Sequence, residues 1–215
     1  MPEYLVIAGP NGAGKSTLSK TISRPNTIIF DPDKEKKQIE RNYPDISDDA
    51  IEEELARVYR NFEIRALGGG LNLTVESNLR NEFVAERSRF FKENGYKTSF
   101  IFLALATLED SHDRVNLRVK QKGHYVDRES IAYNYRVSLE NLLKTAPVFD
   151  QFMLMVAPIG TDKIIIPDAL AIYKDRQPWY EKPDMPEWAN PLITDLRNSF
   201  TPDDPGPQLK QGLKR

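Results

Sequence analysis

The run Tyr4-Leu5-Val6-Ile7-Ala8 leads directly into Gly9-Pro10-Asn11-Gly12-Ala13-Gly14-Lys15-Ser16-Thr17. That second stretch has the G-x-x-x-x-G-K-[ST] spacing of a phosphate-binding loop, with an apolar run before it and a helix-like segment after it. Gly9, Gly12 and Gly14 let the backbone turn tightly and bring its N–H groups close to phosphate oxygens. Lys15 offers a positive charge to the β- and γ-phosphates, and the Ser16 hydroxyl offers a ligand to Mg²⁺. The helix that follows aims its N-terminal donors and partial positive charge at the same anion. A glycine-rich turn with a chance lysine would explain the glycines but not the whole ordered pattern. The stretch predicts nucleoside triphosphate binding through Gly9 to Thr17, including Pro10, Asn11 and Ala13.

Composition narrows the rest. The 215 residues suit a single α/β domain with a proper core. A formal net charge of −2 speaks against a dedicated nucleic-acid binder, which needs clustered Lys and Arg. With no cysteine, disulfides and thiolate metal sites are excluded. No leader-like or long apolar run is visible, so the expected setting is cytoplasmic, away from the membrane.

Thr17 to Ser23 reads as a short helix and Thr27 to Phe30 as a second strand, ending at Asp31-Pro32-Asp33. Asp33 has two readings of equal weight, a cap for the helix Lys34 to Glu40 or a catalytic carboxylate. A long amphipathic helix begins at Ser47 or Asp48, carries Ile51, Leu55, Val58, Tyr59, Phe62 and Ala66 on one face, and stops at Gly68-Gly69-Gly70. Leu71 to Glu76 is a third strand, and an acid at its end is placed as Glu76 would be to hold Mg²⁺ or its waters. A helix from about Asn81 to Asn94 should bury Phe83, Val84, Phe90 and Phe91, and Thr98 to Ala106 should be a central strand.

Arg114, Arg118 and Lys122 then share one helical face. Such a face is commonly just solvated. Its place after the fourth strand suggests a lid, about residues 107–124, that carries arginines onto a transferred phosphate. His124 has no acid–His cluster near it in sequence and reads as no metal ligand. Asp127 should cap a helix with Ile131, Tyr135, Leu139 and Leu142 on its apolar face. Phe149 to Val156 reads as the fifth strand, and Lys163 to Ile166 and Ala169 to Tyr173 as shorter ones. Residues 1–175 form the expected domain. Residues 176–215 read as a Pro-rich extension that Trp179 and Trp188 would anchor on the domain, with its end disordered.

The ordered set of motifs resembles the zeta-toxin-like family of phosphate-loop kinases. It comprises Gly9 to Thr17, Phe30-Asp31-Pro32-Asp33, Val75-Glu76-Ser77-Asn78-Leu79, Arg114-x-x-x-Arg118, Gly123-His124-x-Val126, Ile131 and Ser138-Leu139-Glu140-Asn141-Leu142. The likeness covers roughly the first 155 residues. In well-known members of that family, ATP phosphorylates a sugar hydroxyl of UDP-N-acetylglucosamine, and an antitoxin protein blocks the ATP site. The resemblance therefore implies a three-layer α/β sandwich with a five-stranded parallel core in the order 2-3-1-4-5. It also implies ATP and Mg²⁺ as cofactors and a small-molecule hydroxyl acceptor, with Asp33 as base, Arg118 and Lys15 at the transferred phosphate, Asp33, Glu76 and Asn78 around the acceptor, and Ser16 and Glu76 at the metal. Three positions depart from the family pattern: Lys122 for a glycine, Asp127 for a proline, and Asn134 for an arginine. Arg136 lies about 200° round the helix from position 134 and does not occupy the same place.

Two other classes compete with a kinase. One is an ATP-hydrolysing regulatory module, although the chain has no Leu-Ser-Gly-Gly-Gln stretch and no apolar strand ending in Asp-Glu. The other is a non-catalytic nucleotide binder acting through a protein partner. A GTPase is disfavoured because no Asn-Lys-x-Asp run is present.

Overall fold

Alternation along the central strands decides the architecture. In the computed structural model, which describes residues 1–120, 125–157 and 167–201, β1 (Glu3–Ala8) sends Tyr4, Val6 and Ala8 into one apolar cluster and Leu5 and Ile7 into another. The fourth strand, β4 (Lys97–Ala104), does the same with Phe100 and Phe102 against Ile101 and Leu103. Successive side chains point to opposite faces, so a strand apolar at every position must be covered on both. On one face lies α1 (Lys15–Ile22), through Leu18 and Ile22. On the other lie α3 (Asp48–Gly69), α4 (Phe83–Glu93), α6 (Arg128–Thr145) and α7 (Asn190–Phe200). Two further helices, α2 (Pro32–Asn42) and α5 (Leu108–Lys120), follow β2 and β4.

The remaining strands are β2 (Thr27–Phe30), β3 (Asn72–Ser77), β5 (Gln151–Val156), β6 (Asp168–Lys174) and β7 (Gln177–Glu181). They form one sheet in the order β2-β3-β1-β4-β5-β6-β7. The first five pair in parallel, in the expected 2-3-1-4-5 order, and β6 and β7 add on antiparallel. The sheet is therefore two strands longer than its parallel core. Because β1 sits between β3 and β4, the crossovers leave it in both directions, and a crevice opens at the carboxyl ends of these strands.

The larger cluster is aromatic. Tyr4 stacks on Phe91 with ring centroids 4.4 Å apart, and Tyr173 of β6 stacks on Phe200 of α7 at 4.1 Å. The boundary expected after residue 175 falls in the β6–β7 turn, where Asp175 and Arg176 both have positive φ. Beyond it, β7 pairs with β6, and Ile193, Leu196 and Phe200 of α7 are buried in the core. Trp188 packs on that core. Trp179 remains exposed, with the Lys174 ammonium 3.6 Å over its ring. The expected strand Lys163–Ile166, His124, Lys122 and the end of the chain beyond 201 lie outside the described residues.

Local signals account for most helix ends. Ser47 caps α3 through the Ala50 amide, Asp127 caps α6 through that of Ser130, and Gly70 closes α3 in the left-handed region. Of the two readings of Asp33, the cap is not the one found. The cap of α2 is Asp31, whose Oδ1 accepts from the Lys34 amide at 3.2 Å, and Asp33 lies within the first turn. Pro32 is the reason, since its fixed φ favours the first helical position and pushes the cap back to residue 31. A second expectation is half right. On α4, Val84 and Phe91 are buried, whereas Phe83 turns outward and meets Tyr59 edge-on at 5.0 Å.

Candidate active site

The phosphate loop joins β1 to α1, and its glycines are needed for more than a ligand. A Cβ on Gly9, at φ +146°, would stand 2.4 Å from the Leu103 carbonyl oxygen. A Cβ on Gly12 would stand 2.9 Å from that of Arg114. The loop is thus pressed between β4 and α5, with Ser111 Oγ donating to the Asn11 carbonyl at 2.6 Å and Arg114 Nε to that of Gly12 at 2.7 Å. Of the arginines expected on one face, Arg114 holds the loop, and burial lowers its pKa. Arg118, one turn on and half-buried, acts electrostatically on Lys15.

Lys15 Nζ donates to the carbonyls of Gly9 and Pro10 at 2.8 and 3.1 Å and to Asn78 Oδ1 at 2.7 Å. Burial lowers its pKa to about 8, against the opposing pull of the Asp33, Glu76 and Asp31 carboxylates. Desolvation wins because the charged form loses more water than nearby carboxylates restore. Ser16 Oγ donates to Glu76 Oε2 at 2.6 Å and lies 3.3 Å from Asp31 Oδ2. The other Glu76 oxygen accepts from Ser19 Oγ at 2.7 Å. Glu76 is nearly inaccessible, and burial raises its pKa although both serine hydroxyls stabilise the carboxylate.

These distances bring the expected residues together: Lys15, Ser16, Glu76 and Asn78 are linked by direct hydrogen bonds. Asp31 and Ser19 were not anticipated in this cluster. Ser19 lies three residues after Ser16, so both hydroxyls fall on one side of α1. The oxygens of Ser16, Glu76 and Asp31 form a hard donor set of the kind Mg²⁺ prefers. No group of three or more His, Cys, Asp or Glu able to hold a metal occurs among the described residues.

Beside this cluster lies a cleft of about 580 Å³. Asp33, Glu76, Asn78 and Arg80 are among the polar residues that line it, and Tyr59 and Phe83 are aromatic ones. The Tyr59 hydroxyl sits 3.5 Å from that of Tyr4, both buried. Asp33 is exposed and lines the cleft, and of the three carboxylates near Lys15 it favours the charged ammonium most. Position 134, where an arginine was expected by resemblance, holds a wholly buried asparagine. It accepts from Arg80 Nε and donates to Asn11 Oδ1, each at 2.7 Å. Arg80 carried no motif of its own, and only the structure reveals this link.

Comparison with known proteins places the chain. An uncharacterised protein of Haemophilus influenzae is 28% identical over 128 residues, which is 59% of this chain and 88% of that protein. The PezAT chromosomal toxin–antitoxin structure from Streptococcus pneumoniae is similar at a TM-score of 0.56 and 17% identity, over 91% of this chain and 78% of that one. An AvrRxo1-ORF1:ORF2 complex with ATP is similar at 0.58 and 14% identity, over 91% of this chain and 64% of that one. A chain of the Pnkp1/Rnl/Hen1 RNA repair complex is similar at 0.57 and 18% identity, over 66% of this chain, which spans only 46% of that longer one. At these identities the solved structures share the fold. The family profile described as Zeta toxin matches residues 1–158, and on that match, together with the phosphate loop, the strand-end acids and the 2-3-1-4-5 core, the chain belongs to the zeta toxin family.

Proposed function

We propose that this protein is an ATP-dependent phosphotransferase that moves the γ-phosphate onto a hydroxyl of a small molecule bound in the cleft, with a nucleotide-activated amino sugar such as UDP-N-acetylglucosamine as the acceptor. The observation that carries this reading is the placement of Asp33. It faces the cleft while its charge acts on Lys15, so one carboxylate borders both the phosphate loop and the space for an acceptor.

In this reading the loop amides and Lys15 hold the triphosphate, with Gly9 to Thr17 as its cradle. Ser16, with Glu76 and Asp31 beside it, would hold Mg²⁺, which when bound offsets charge on the β- and γ-phosphates. Asp33 orients the acceptor hydroxyl in line with the γ-phosphorus and takes its proton as the new P–O bond forms. The bond to the β-phosphate breaks and ADP leaves with the electron pair. Arg118 and Lys15 stabilise charge on the oxygens of the moving phosphoryl group. Asn78, which accepts from Lys15, sits between loop and cleft and borders the acceptor. By likeness to the PezAT system, a protein antitoxin that covers the ATP site is part of the proposal. No helix among the described residues is long and apolar enough to cross a membrane.

The test is incubation with γ-labelled ATP and a panel of hydroxyl acceptors that includes UDP-N-acetylglucosamine. Label transferred to an acceptor, and lost by about 10²–10⁴-fold in Asp33→Asn, is the expected result. Free phosphate alone would identify an ATP-hydrolysing module, and neither product a nucleotide-binding module.

A further inference from the structure

Three side chains form a directed line from the cleft to the phosphate loop. Arg80 follows β3 and reaches the cleft, Asn134 lies midway along α6, and Asn11 belongs to the loop. Both links are 2.7 Å long, and Asn134 and Asn11 are buried. A guanidinium has donors only, so it fixes the amide of Asn134 with Oδ1 towards Arg80 and Nδ2 towards Asn11. Asn11 must then present its own Oδ1. The polarity of the whole line follows from one arginine.

The neighbouring backbone is held just as firmly. Leu79, between Asn78 and Arg80, adopts φ +53°, uncommon for a leucine. Its amide donates to Ser77 Oγ at 2.9 Å, and its carbonyl accepts from Asn141 Nδ2 at 2.9 Å. Asn134 and Asn141 are seven residues apart, hence on one face of α6. That face therefore holds the β3 turn at two points, and the turn delivers Asn78 to Lys15 and Arg80 to the cleft. Strained backbone held from several sides is found where geometry matters for function.

We infer that Asn134 is a positioning residue that sets Arg80 of the acceptor cleft in register with the phosphate loop. This rests on the phosphotransferase reading of the same site. It also accounts for the departure from the family pattern at this position. An arginine at 134 would place a second donor-only cation against Arg80 in a buried position, where like charges are costly. Asparagine offers the one acceptor and one donor that the two neighbours require.

The test compares Asn134→Leu, which removes both links, with Asn134→Asp. Aspartate still accepts from Arg80, and it accepts from Asn11 once that amide turns over. Asn134→Ser, too short to span both partners, replaces the leucine variant if that does not fold. Asn134→Leu should lower acceptor kcat/KM by about 10²-fold, the scale of a 1 Å misplacement, with ATP affinity held within about threefold. Asn134→Asp should recover most of the loss. In an Arg80→Ala background Asn134→Leu should cost nothing further, because the two act as one unit. Equal losses in the leucine and aspartate variants, or losses that add to Arg80→Ala, would overturn the assignment. A readout independent of any acceptor is the ¹⁵N signal of the Arg80 Nε–H. It should exchange slowly with solvent in wild type and Asn134→Asp and rapidly in Asn134→Leu. Slow exchange with no acceptor phosphorylated would refute the phosphotransferase reading and keep the Arg80–Asn134 link, whereas rapid exchange in wild type would refute the link.

Discussion

Ser16 and Glu76 are joined by a 2.6 Å hydrogen bond although 60 residues separate them, so the hydroxyl that opens α1 and the carboxylate that closes β3 share one position. That carboxylate is buried with its pKa raised, and its ionised form is held in place at a cost to stability.

Glu76→Gln should therefore melt no lower than wild type at pH 7 while binding Mg·ATP much more weakly. A raised folded-state pKa means that the native state holds its proton more tightly than the unfolded chain. The stability from this group is present below the ordinary carboxylate range and is lost as pH rises through the elevated value. Melting curves from pH 4 to pH 8 should show wild type losing ground to Glu76→Gln as pH rises. A gap that does not change with pH would contradict this account.

Lys15 carries the opposite imbalance. Its pKa, lowered to about 8, means that the unfolded chain binds the proton more tightly, so charging Lys15 opposes folding below pH 8, and the penalty fades between pH 8 and the ordinary lysine value of 10.5. Lys15→Met should raise the melting temperature at pH 7, converge with wild type near pH 10, and abolish nucleotide binding in calorimetric titration. Wild-type affinity in that variant would dissociate the loop from the nucleotide.

Arg118→Ala should leave Mg·ATP affinity nearly intact and reduce turnover by up to about 10³–10⁵-fold, the range for a phosphoryl-stabilising arginine. Steady-state rates set against titration affinities separate the two effects. Unchanged turnover would reduce Arg118 to a structural residue of α5.

The two acids after β2 should divide structure from chemistry. Asp31→Ala removes the cap of α2 and should cost about 1 kcal/mol in urea unfolding. Asp33→Ala, free of the cap, should unfold within about 0.5 kcal/mol of wild type. Reversed values would return the cap to residue 33.

Much of this arrangement was legible because it repeats along the chain. The continuous apolar runs Tyr4–Ala8 and Phe100–Leu103, the glycine spacing of the loop and the caps at Ser47 and Asp127 are local signals, and each appears in the fold where expected. Strand β7 escaped notice because an edge strand exposed along most of its length, with Pro178 within it, leaves no burial pattern in sequence. The sequence left Asp33 open between cap and catalyst, because two acids flank Pro32 and only the helix start, fixed by Asp31, tells them apart. The Arg80–Asn134–Asn11 line could not be read at all. Its members are separated by 54 and 123 residues, and nothing in a single sequence records which polar groups meet.

The phosphate loop also depends on chain far downstream of it. Its sequence is complete by Thr17, yet the bonds from Ser111 to Asn11 and from Arg114 to Gly12 close across 100 and 102 residues. Contacts so distant form only after the intervening chain has been brought together. A chain emerging from the ribosome therefore carries the loop's amino acids about a hundred residues before it carries the α5 groups that brace two of the loop's carbonyls.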